Sequence, residues 1–164
     1  MTGPRELAIG KLTAAAFAPF GEVVEAGAAP ELINEGTARQ YADLATIDVM
    51  GGRPRVSLYR AEARILPLAI TMLERHPLGS QLFMPLSPDP FLVVVAPAAA
   101  VPDRAALRAF VTNGRQGVNY RRGTWHHPLI TLAAGEFLVL DRAGPGANCD
   151  EFHFRDEGLL LQKP

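Results

Sequence analysis

The chain has 164 residues, a length that suits a single domain over residues 1–164 with its own hydrophobic core. Apolar residues make up 48% of it and charged residues 20%, a balance that excludes a disordered chain. The formal net charge is −1, which lacks the cationic excess that nucleic-acid binding requires, so we expect no such partner. The single cysteine, Cys149, excludes both an internal disulfide and a zinc site built from several thiolates.

Neither secretion nor membrane insertion is predicted. Residues 1–6 contain no apolar core of the kind that secretory signals have. The longest apolar run, Phe91–Ala96, is far shorter than the roughly 20 residues that a membrane-spanning helix needs. We therefore expect no membrane partner and a cytoplasmic protein.

Two short helices are predicted. Thr13 is placed to cap a helix over Ala14–Ala18, which Pro19 ends. The second helix is predicted over Asp103–Ala109, with Leu107 as its buried residue.

The remaining pattern favours short strands, because 15 glycines and 14 prolines are spread along the chain and divide it into short segments. The predicted strands are Arg55–Arg60, Ile70–His76, Gln81–Pro85, Phe91–Ala96, Pro128–Leu132, Glu136–Leu140 and Cys149–Phe154. Arg55–Arg60 alternates polar and apolar residues, as a strand with one solvent-exposed face does, whereas Phe91–Ala96 indicates a central strand buried on both faces. This predicts a mainly β fold, a jelly roll or barrel with a few short helices, whose mouth often carries a ligand site.

The first candidate site is the cluster of Glu74, His76 and Gln81. On a strand Glu74 and His76 face the same side, and the turn through residues 77–79 brings Gln81 opposite them. A carboxylate, an imidazole and an amide oxygen that converge are a plausible half of a metal site. The alternative is a histidine packed at a barrel edge with Glu74 as its hydrogen-bond partner.

The second candidate site is the segment 113–128, which holds two adjacent histidines, three arginines, two asparagines and the only tryptophan. Polar groups at this density are costly to bury unless something satisfies them, and the alternative is an ordinary surface loop. Because neighbouring residues of a strand face opposite sides, at most one of His126 and His127 is expected to enter a pocket.

Three further features receive structural interpretations. Asp141 and Arg142 stand where an apolar strand meets a glycine turn, which indicates turn chemistry at a rim. Cys149 has no activating base beside it in the sequence, so we expect a buried small residue. His153 alternates with phenylalanines and is expected at a rim or an interface.

The clusters follow the order of the two cupin motifs. The first cupin motif runs H-x-H and then, after three or four residues, E; here Glu74 replaces the first histidine, His76 is kept and Gln81 replaces the glutamate. The second motif contains P-x-G-x-x-H, and here the segment R-x-G-x-x-H ends on His126.

Three longer strings resemble the ureidoglycolate lyase family. They are LERHPLGSQLFMP (Leu73–Pro85), FVTNGRQGVNYRRGTWHHPL (Phe110–Leu129) and DRAGPGANCD (Asp141–Asp150). The resemblance implies a cupin-type double-stranded β-helix that forms a homodimer and splits a small-molecule substrate, ureidoglycolate, into glyoxylate and urea. It also implies a divalent metal, nickel, and the cupin metal positions carry over onto Glu74, His76, Gln81 and His126.

Roles for the site residues follow as hypotheses. The substrate carbon carries a hydroxyl, a urea nitrogen and a carboxylate, so elimination needs a base, an acid and a carboxylate partner. His126 or Glu74 is assigned to take the hydroxyl proton, and His76 to deliver a proton to the urea.

Substrate binding is assigned to the second cluster. Arg121 is preferred over Arg75 as the carboxylate partner because it lies near His126, and Asn119 and Tyr120 are candidates for the ureido group. Two other functions stay open at this stage: a non-catalytic cupin that binds a small carboxylate, and a related hydroxy-acid epimerase that works without metal.

Overall fold

The fold is described from a computed structural model that covers residues 5–155 and 159–164. The prediction that residues 1–6 contain no secretory signal falls partly on residues 1–4, which lie outside the described residues. The helical segments are the α-helix α1 over Ala14–Phe17 and two 3-10 helices over Asn34–Gly36 and Arg104–Ala106. None of the helices in the described residues reaches the length and apolar character of a membrane-spanning segment.

Strands make up most of the regular structure. In chain order they are β1 (Glu6–Leu7), β2 (Ile9–Lys11), β3 (Gly21–Val24), β4 (Glu31–Ile33), β5 (Ala38–Gln40), β6 (Arg53–Ala61), β7 (Leu68–Ile70), β8 (Met72–Arg75), β9 (Gln81–Pro85), β10 (Phe91–Ala96), β11 (Arg108–Val111), β12 (Gly117–Tyr120), β13 (Trp125–His126), β14 (Ile130–Thr131), β15 (Gly135–Ala143), β16 (Asp150–His153) and β17 (Leu159–Leu161).

Two larger sheets pack against each other. A seven-stranded sheet has the order β16-β8-β13-β10-β11-β2, with β14 also paired to β10, and a five-stranded sheet has the order β3-β12-β9-β15-β6. Their facing sides share one core, in which Val93 and Val95 of β10 lie with Val118 of β12 and Val139 of β15. This architecture confirms the predicted mainly β, jelly-roll class.

Strand β10 is the central strand of the core, and all six of its residues are buried. Its alternate side chains enter two different cores, as the period of two in a strand requires. The second core lies between the seven-stranded sheet and a three-stranded sheet of order β1-β17-β7. The prediction of a strand buried on both faces is therefore confirmed.

The two predicted helices have different outcomes. Thr13 caps α1 by accepting a hydrogen bond from the backbone N–H of Ala16 at 3.2 Å, as expected. The helix predicted over Asp103–Ala109 is wrong, because only a 3-10 turn forms there and β11 begins at Arg108. Pairing with β10 supplies the backbone hydrogen bonds of β11, and tertiary pairing of this kind overrides local helix signals. Leu107 is buried, as predicted.

Strand β6 exposes an apolar face. Val56 and Leu58 are 65% and 63% exposed, although their neighbours in the strand are polar. The register with β15 explains this, because Arg55 and Tyr59 pair with Asp141 and Phe137, whose side chains point inward. The solvent-exposed face that the alternation predicts therefore carries Val56 and Leu58 together with Arg60, whereas Arg55 and Tyr59 point towards the cavity.

The segment predicted as one strand over Ile70–His76 divides into β7 and β8, which belong to different sheets. Strand β8 pairs with β13 on one side and with β16 on the other. The turn after β8 then leads directly into β9 of the opposite sheet. Within the first candidate cluster, Glu74 therefore lies on the seven-stranded sheet and Gln81 on the five-stranded sheet.

Candidate active site

A cavity of about 430 Å³ is lined by strands of both larger sheets and by the loop that joins β15 to β16. Its lining residues are Arg55, Tyr59, Glu74, His76, Gln81, Asp141, Arg142, Ala143, Gly144, Gly146, Asn148 and Cys149. Most of these side chains are polar, and two arginines are among them. The cavity therefore suits a small, polar and anionic molecule.

The residues expected to bind a metal converge at this cavity. Glu74 on β8 is paired directly with His126 on β13 in the sheet ladder, so their side chains lie side by side. His76 follows β8 and lies two residues after Glu74, on the same side. One potential ligand atom from each of these three residues lies within 4.8 Å of the others. Gln81 joins them, since its Oε1 is 3.1 Å from Nε2 of His76.

His126 presents an unprotonated nitrogen to this cluster. Burial lowers its pKa, although Glu74 opposes the shift, so the imidazole is neutral near pH 7. Nδ1 lies 3.1 Å from the carbonyl oxygen of Thr124, which can only accept, so Nδ1 carries the ring proton. Nε2 is left with a lone pair 3.3 Å from Oε1 of Glu74, buried and without a hydrogen-bond partner among the described residues.

His76 adopts the same tautomer for the same reason. Its Nδ1 lies 2.6 Å from the backbone oxygen of Asn148 and must donate to it. In the neutral ring Nε2 then carries a lone pair, 3.1 Å from the amide of Gln81, which, unlike a backbone carbonyl, can turn to present its N–H. Both histidines thus direct Nε2 into the space beside Glu74.

The chemistry of these donors fits a divalent metal. Burial favours the neutral carboxyl of Glu74, whereas a proton shared with His126, or positive charge on the neighbouring histidines, lowers the pKa of Glu74. Nε2 of His126 faces Oε1 of Glu74 at 3.3 Å, and Nε2 of His76 faces Oε1 of Gln81 at 3.1 Å. Facing acceptors repel each other unless a cation lies between them, and imidazole nitrogen with carboxylate oxygen is a ligand set for first-row divalent metals.

The residues expected to bind the ureido group lie away from the cavity lining. Tyr120 is buried and its ring stacks on His126, with centroids 4.1 Å apart and planes within 9°. Burial raises the pKa of its phenol well above the usual value. Asn119 faces the other side of β12, where Nδ2 donates to Glu22 at 2.9 Å and to the backbone oxygen of Thr46 at 2.9 Å.

The predicted carboxylate partner also lies elsewhere. Arg121 is exposed, and its Nη2 donates to the backbone oxygen of Ala18 at 3.2 Å. Arg75 points away from the cluster, as expected, and donates to Asp150 at 2.9 Å. The structure therefore groups the four predicted metal ligands. Of the three predicted substrate-binding residues, Tyr120 stacks on His126 without lining this cavity, and Asn119 and Arg121 line a second cavity of about 270 Å³.

Arg55 is a lining residue that the sequence did not single out. Its Nε and Nη2 donate to the two carboxylate oxygens of Asp141, each at 2.8 Å, in a bidentate pair. Only the position of Asp141 at a strand end drew attention in the sequence. Arg55 lies 86 residues earlier and is recognisable only once β6 and β15 are paired.

Cys149 and the remaining histidines complete the comparison. Cys149 is exposed, so the prediction of a buried residue is wrong, and its Sγ lies 3.9 Å from Oε2 of Glu74. Cys149 lies at the end of the loop between β15 and β16, and the glycine turn in this loop places it at the cavity wall. His127 is buried, and its Nδ1 lies 2.8 Å from the carbonyl oxygen of Pro128. His153 is exposed on β16.

The fold and the cavity together define a class: a jelly-roll β protein with a candidate metal-dependent active site. Comparison with known proteins identifies the family within this class. The family model described as ureidoglycolate lyase matches residues 4–161. The chain therefore belongs to the ureidoglycolate lyase family, and the resemblance seen in the sequence is confirmed.

Individual relatives are similar over almost their whole length. A ureidoglycolate lyase of Pseudomonas syringae pv. syringae (strain B728a) is 52% identical, with 98% of this chain and 96% of the relative covered. One of Pseudomonas fluorescens (strain Pf0-1) is 49% identical, with 98% of each covered. One of Pseudomonas aeruginosa (strain LESB58) is 52% identical, with 98% of this chain and 97% of the relative covered.

Proposed function

We propose that the protein is a carbon–nitrogen lyase that releases urea and glyoxylate from ureidoglycolate, the compound in its relatives' names. One observation carries the proposal: ligand atoms of Glu74, His76 and His126 lie within 4.8 Å of one another, and Glu74 and His76 line a polar cavity. The cavity belongs to a chain that is about half identical, end to end, to proteins named ureidoglycolate lyase.

The reaction moves one proton and breaks one bond. The hydroxyl of the substrate loses its proton, a carbonyl forms at that carbon, and the electron pair of the carbon–nitrogen bond leaves with the urea nitrogen. That nitrogen then takes up a proton, so the protons balance. The protein must supply a base, a proton for the leaving nitrogen, and a partner for the carboxylate.

We assign both proton transfers to Glu74. It lines the cavity as a carboxylate with a lowered pKa, and its Oε2 lies on the side away from His126. His76 was the acid expected from the sequence, but its Nε2 carries no proton in the tautomer that Asn148 imposes. His126 does not line the cavity, so we assign it to holding Glu74 and the metal.

We assign the substrate carboxylate to Arg55, because it lines the cavity and Arg121 does not. Nε and Nη2 of Arg55 are used by Asp141, which fixes the plane of the guanidinium and leaves Nη1 outside the pair. Arg142 also lines the cavity, but its Nε and Nη2 donate to backbone carbonyl oxygens. A planar arginine held in this way is well suited to bind a carboxylate.

We propose nickel as the metal, held by Glu74, His76, His126 and Gln81. Mixed imidazole and oxygen ligands suit Ni²⁺ and related ions. A bound divalent metal polarises the hydroxyl and carboxylate oxygens of the substrate and lowers the pKa of the hydroxyl.

The test is an assay of urea and glyoxylate from (S)-ureidoglycolate with the purified protein. We expect the two products in equal amounts, a loss of activity after complete chelation, and recovery on addition of Ni²⁺. His76→Ala should abolish turnover, and His153→Ala, on an exposed histidine, serves as the matched control.

Each of the other functions has its own outcome in this assay. Binding of the compound without urea release would indicate a non-catalytic carboxylate-binding protein. Inversion at the hydroxyl carbon without urea release would indicate an epimerase. Full activity after verified metal removal would contradict the metal assignment alone.

We also propose a homodimer in the cytoplasm. The exposed apolar side chains of Val56 and Leu58 on β6, the end strand of its sheet, support a contact between two copies. Light scattering should give twice the mass of the chain, and Leu58→Lys should shift the protein towards the monomer.

A further inference from the structure

The loop between β15 and β16 lies against the turn that follows β8, and Asn148 joins the two. Its backbone oxygen lies 2.6 Å from Nδ1 of His76. Its side-chain Oδ1 accepts a hydrogen bond from the backbone N–H of Leu78 at 2.7 Å. Because Leu78 is two residues after His76, one asparagine holds both the imidazole and the turn that carries it.

This arrangement selects one tautomer of His76. A carbonyl oxygen can only accept, so the contact with Asn148 places the ring proton on Nδ1. In the neutral ring, Nε2, which lies 3.1 Å from Oε1 of Gln81, is then free of a proton. A histidine binds a metal through a ring nitrogen that carries no proton. The group that accepts a hydrogen bond from the other ring nitrogen sets the tautomer and the ring orientation.

The loop that carries Asn148 is itself anchored. Arg142 is buried, and its Nη2 donates to the backbone oxygen of Pro145 at 2.8 Å. Gly146 adopts a φ of +88°, and a Cβ there would lie 3.0 Å from Cδ1 of Leu78. The close approach of the loop to the turn therefore depends on a glycine at this position.

We propose that Asn148 is a positioning residue: its side chain ties the turn after β8, which holds its backbone oxygen against His76 and directs Nε2 of that histidine into the metal cluster. The metal part of this inference rests on the proposed function. The tautomer part does not, because it concerns the protein without metal or substrate.

The first test is nitrogen NMR on the metal-free protein, with His76 assigned by comparison with His76→Gln. We expect the wild-type imidazole to carry its proton on Nδ1. Asn148→Ala should give a mixture of the two tautomers. Asn148→Asp keeps an acceptor for the N–H of Leu78 and should restore the wild-type tautomer.

The second test measures Ni²⁺ affinity by calorimetry and steady-state kinetics of urea release. Loss of a group that orients a metal-binding histidine lowers affinity or activity by about 10–100-fold, and we expect this for Asn148→Ala, mainly in kcat. Asn148→Asp should recover most of the affinity. The matched control is Asn113→Ala, which removes a side-chain acceptor for the N–H of Arg115 outside the cavity lining.

The outcomes separate this inference from the proposed function. A wild-type His76 with its proton on Nε2 would overturn the inference without any variant, so it stays testable even if Asn148→Ala fails to fold. A folded Asn148→Ala with the Nδ1 tautomer and unchanged Ni²⁺ affinity would also overturn it. If the wild type releases no urea while the tautomers change as expected, the proposed function fails and the positioning role stands.

Discussion

The turn after β8 and strand β12 make an instructive pair, because both lie in strings that resemble the family and each supplied candidate site residues in the sequence. Only the first contributes to the cavity. Along β12, Val118 and Tyr120 point into the core, while Asn119 points to the opposite side. A high density of polar residues therefore does not show that their side chains converge on one place.

On β12 the amide of Asn119 is paired only through its donor: Nδ2 has two partners, whereas the buried Oδ1 has none among the described residues. Asn119 ties Glu22 of β3 and the backbone at Thr46 to the five-stranded sheet. The turn after β8 differs, because His76 and Glu74 direct lone pairs towards other acceptors. Acceptors that face each other at a cavity indicate a cation between them, whereas the donors of Asn119 already join two parts of the chain.

The largest effect is expected for Glu74→Gln, which removes the group that moves the proton. We expect kcat/KM for urea release to fall by about 10²–10⁴-fold, the usual contribution of a general acid–base residue. Glu136→Gln is the matched control, since this exposed glutamate pairs only with Arg60 among the described residues. Retention of more than a tenth of the activity by Glu74→Gln would contradict the assignment.

The next largest effect compares the two arginines. Arg55→Ala should lower kcat/KM by about 10–100-fold, because a hydrogen bond to a charged group contributes about 1.5–3 kcal/mol. Arg121→Ala, on the far side of β12, should leave the steady-state constants unchanged. The reverse pattern would return the carboxylate to Arg121, the residue that the sequence favoured. Arg55→Lys keeps the charge but loses the bidentate pair, and we expect an intermediate effect.

A smaller effect, on stability rather than activity, is expected at Asn119. Asn119→Ala leaves the carboxylate of Glu22 and the backbone oxygen of Thr46 without this donor. The free energy of unfolding in urea should fall by about 1 kcal/mol, the net contribution of a typical hydrogen bond, because Glu22 is half-buried and Thr46 is exposed. An increase in KM without loss of stability would instead place Asn119 in contact with the substrate.

The smallest effect is expected for Tyr120→Phe. The ring that stacks on His126 is kept and only the hydroxyl is lost, so kcat and KM for urea release should not change. A higher KM for this variant would support the ureido-binding role that the sequence suggested for Tyr120.

Features that depend on residues close in the chain were well predicted. The cap at Thr13 and the two buried faces of β10 follow from local patterns. The convergence of Glu74, His76 and Gln81 also follows, because a period of two and a short turn bring them together. His126 was recognised through its place in the second cupin motif. Its pairing with Glu74 across β8 and β13 explains why residues of the two motifs come together.

Features that depend on distant pairing were missed. The second predicted helix failed because β11 pairs with β10, and the exposed apolar face of β6 results from its register with β15. Arg55 and Asn148 reach the cavity through partners 86 and 72 residues away in the chain. No local pattern contains that information.

By itself, the sequence determined the family, the mainly β class and the identity of the candidate metal ligands. These depend on residue types at short spacings, which the periodicity of a strand converts directly into geometry. The tertiary structure alone decided which arginine lines the cavity and which tautomer His76 adopts. Both depend on strand register and on a loop that packs against a distant turn, and a change of one residue in register would reverse which side chains face the cavity.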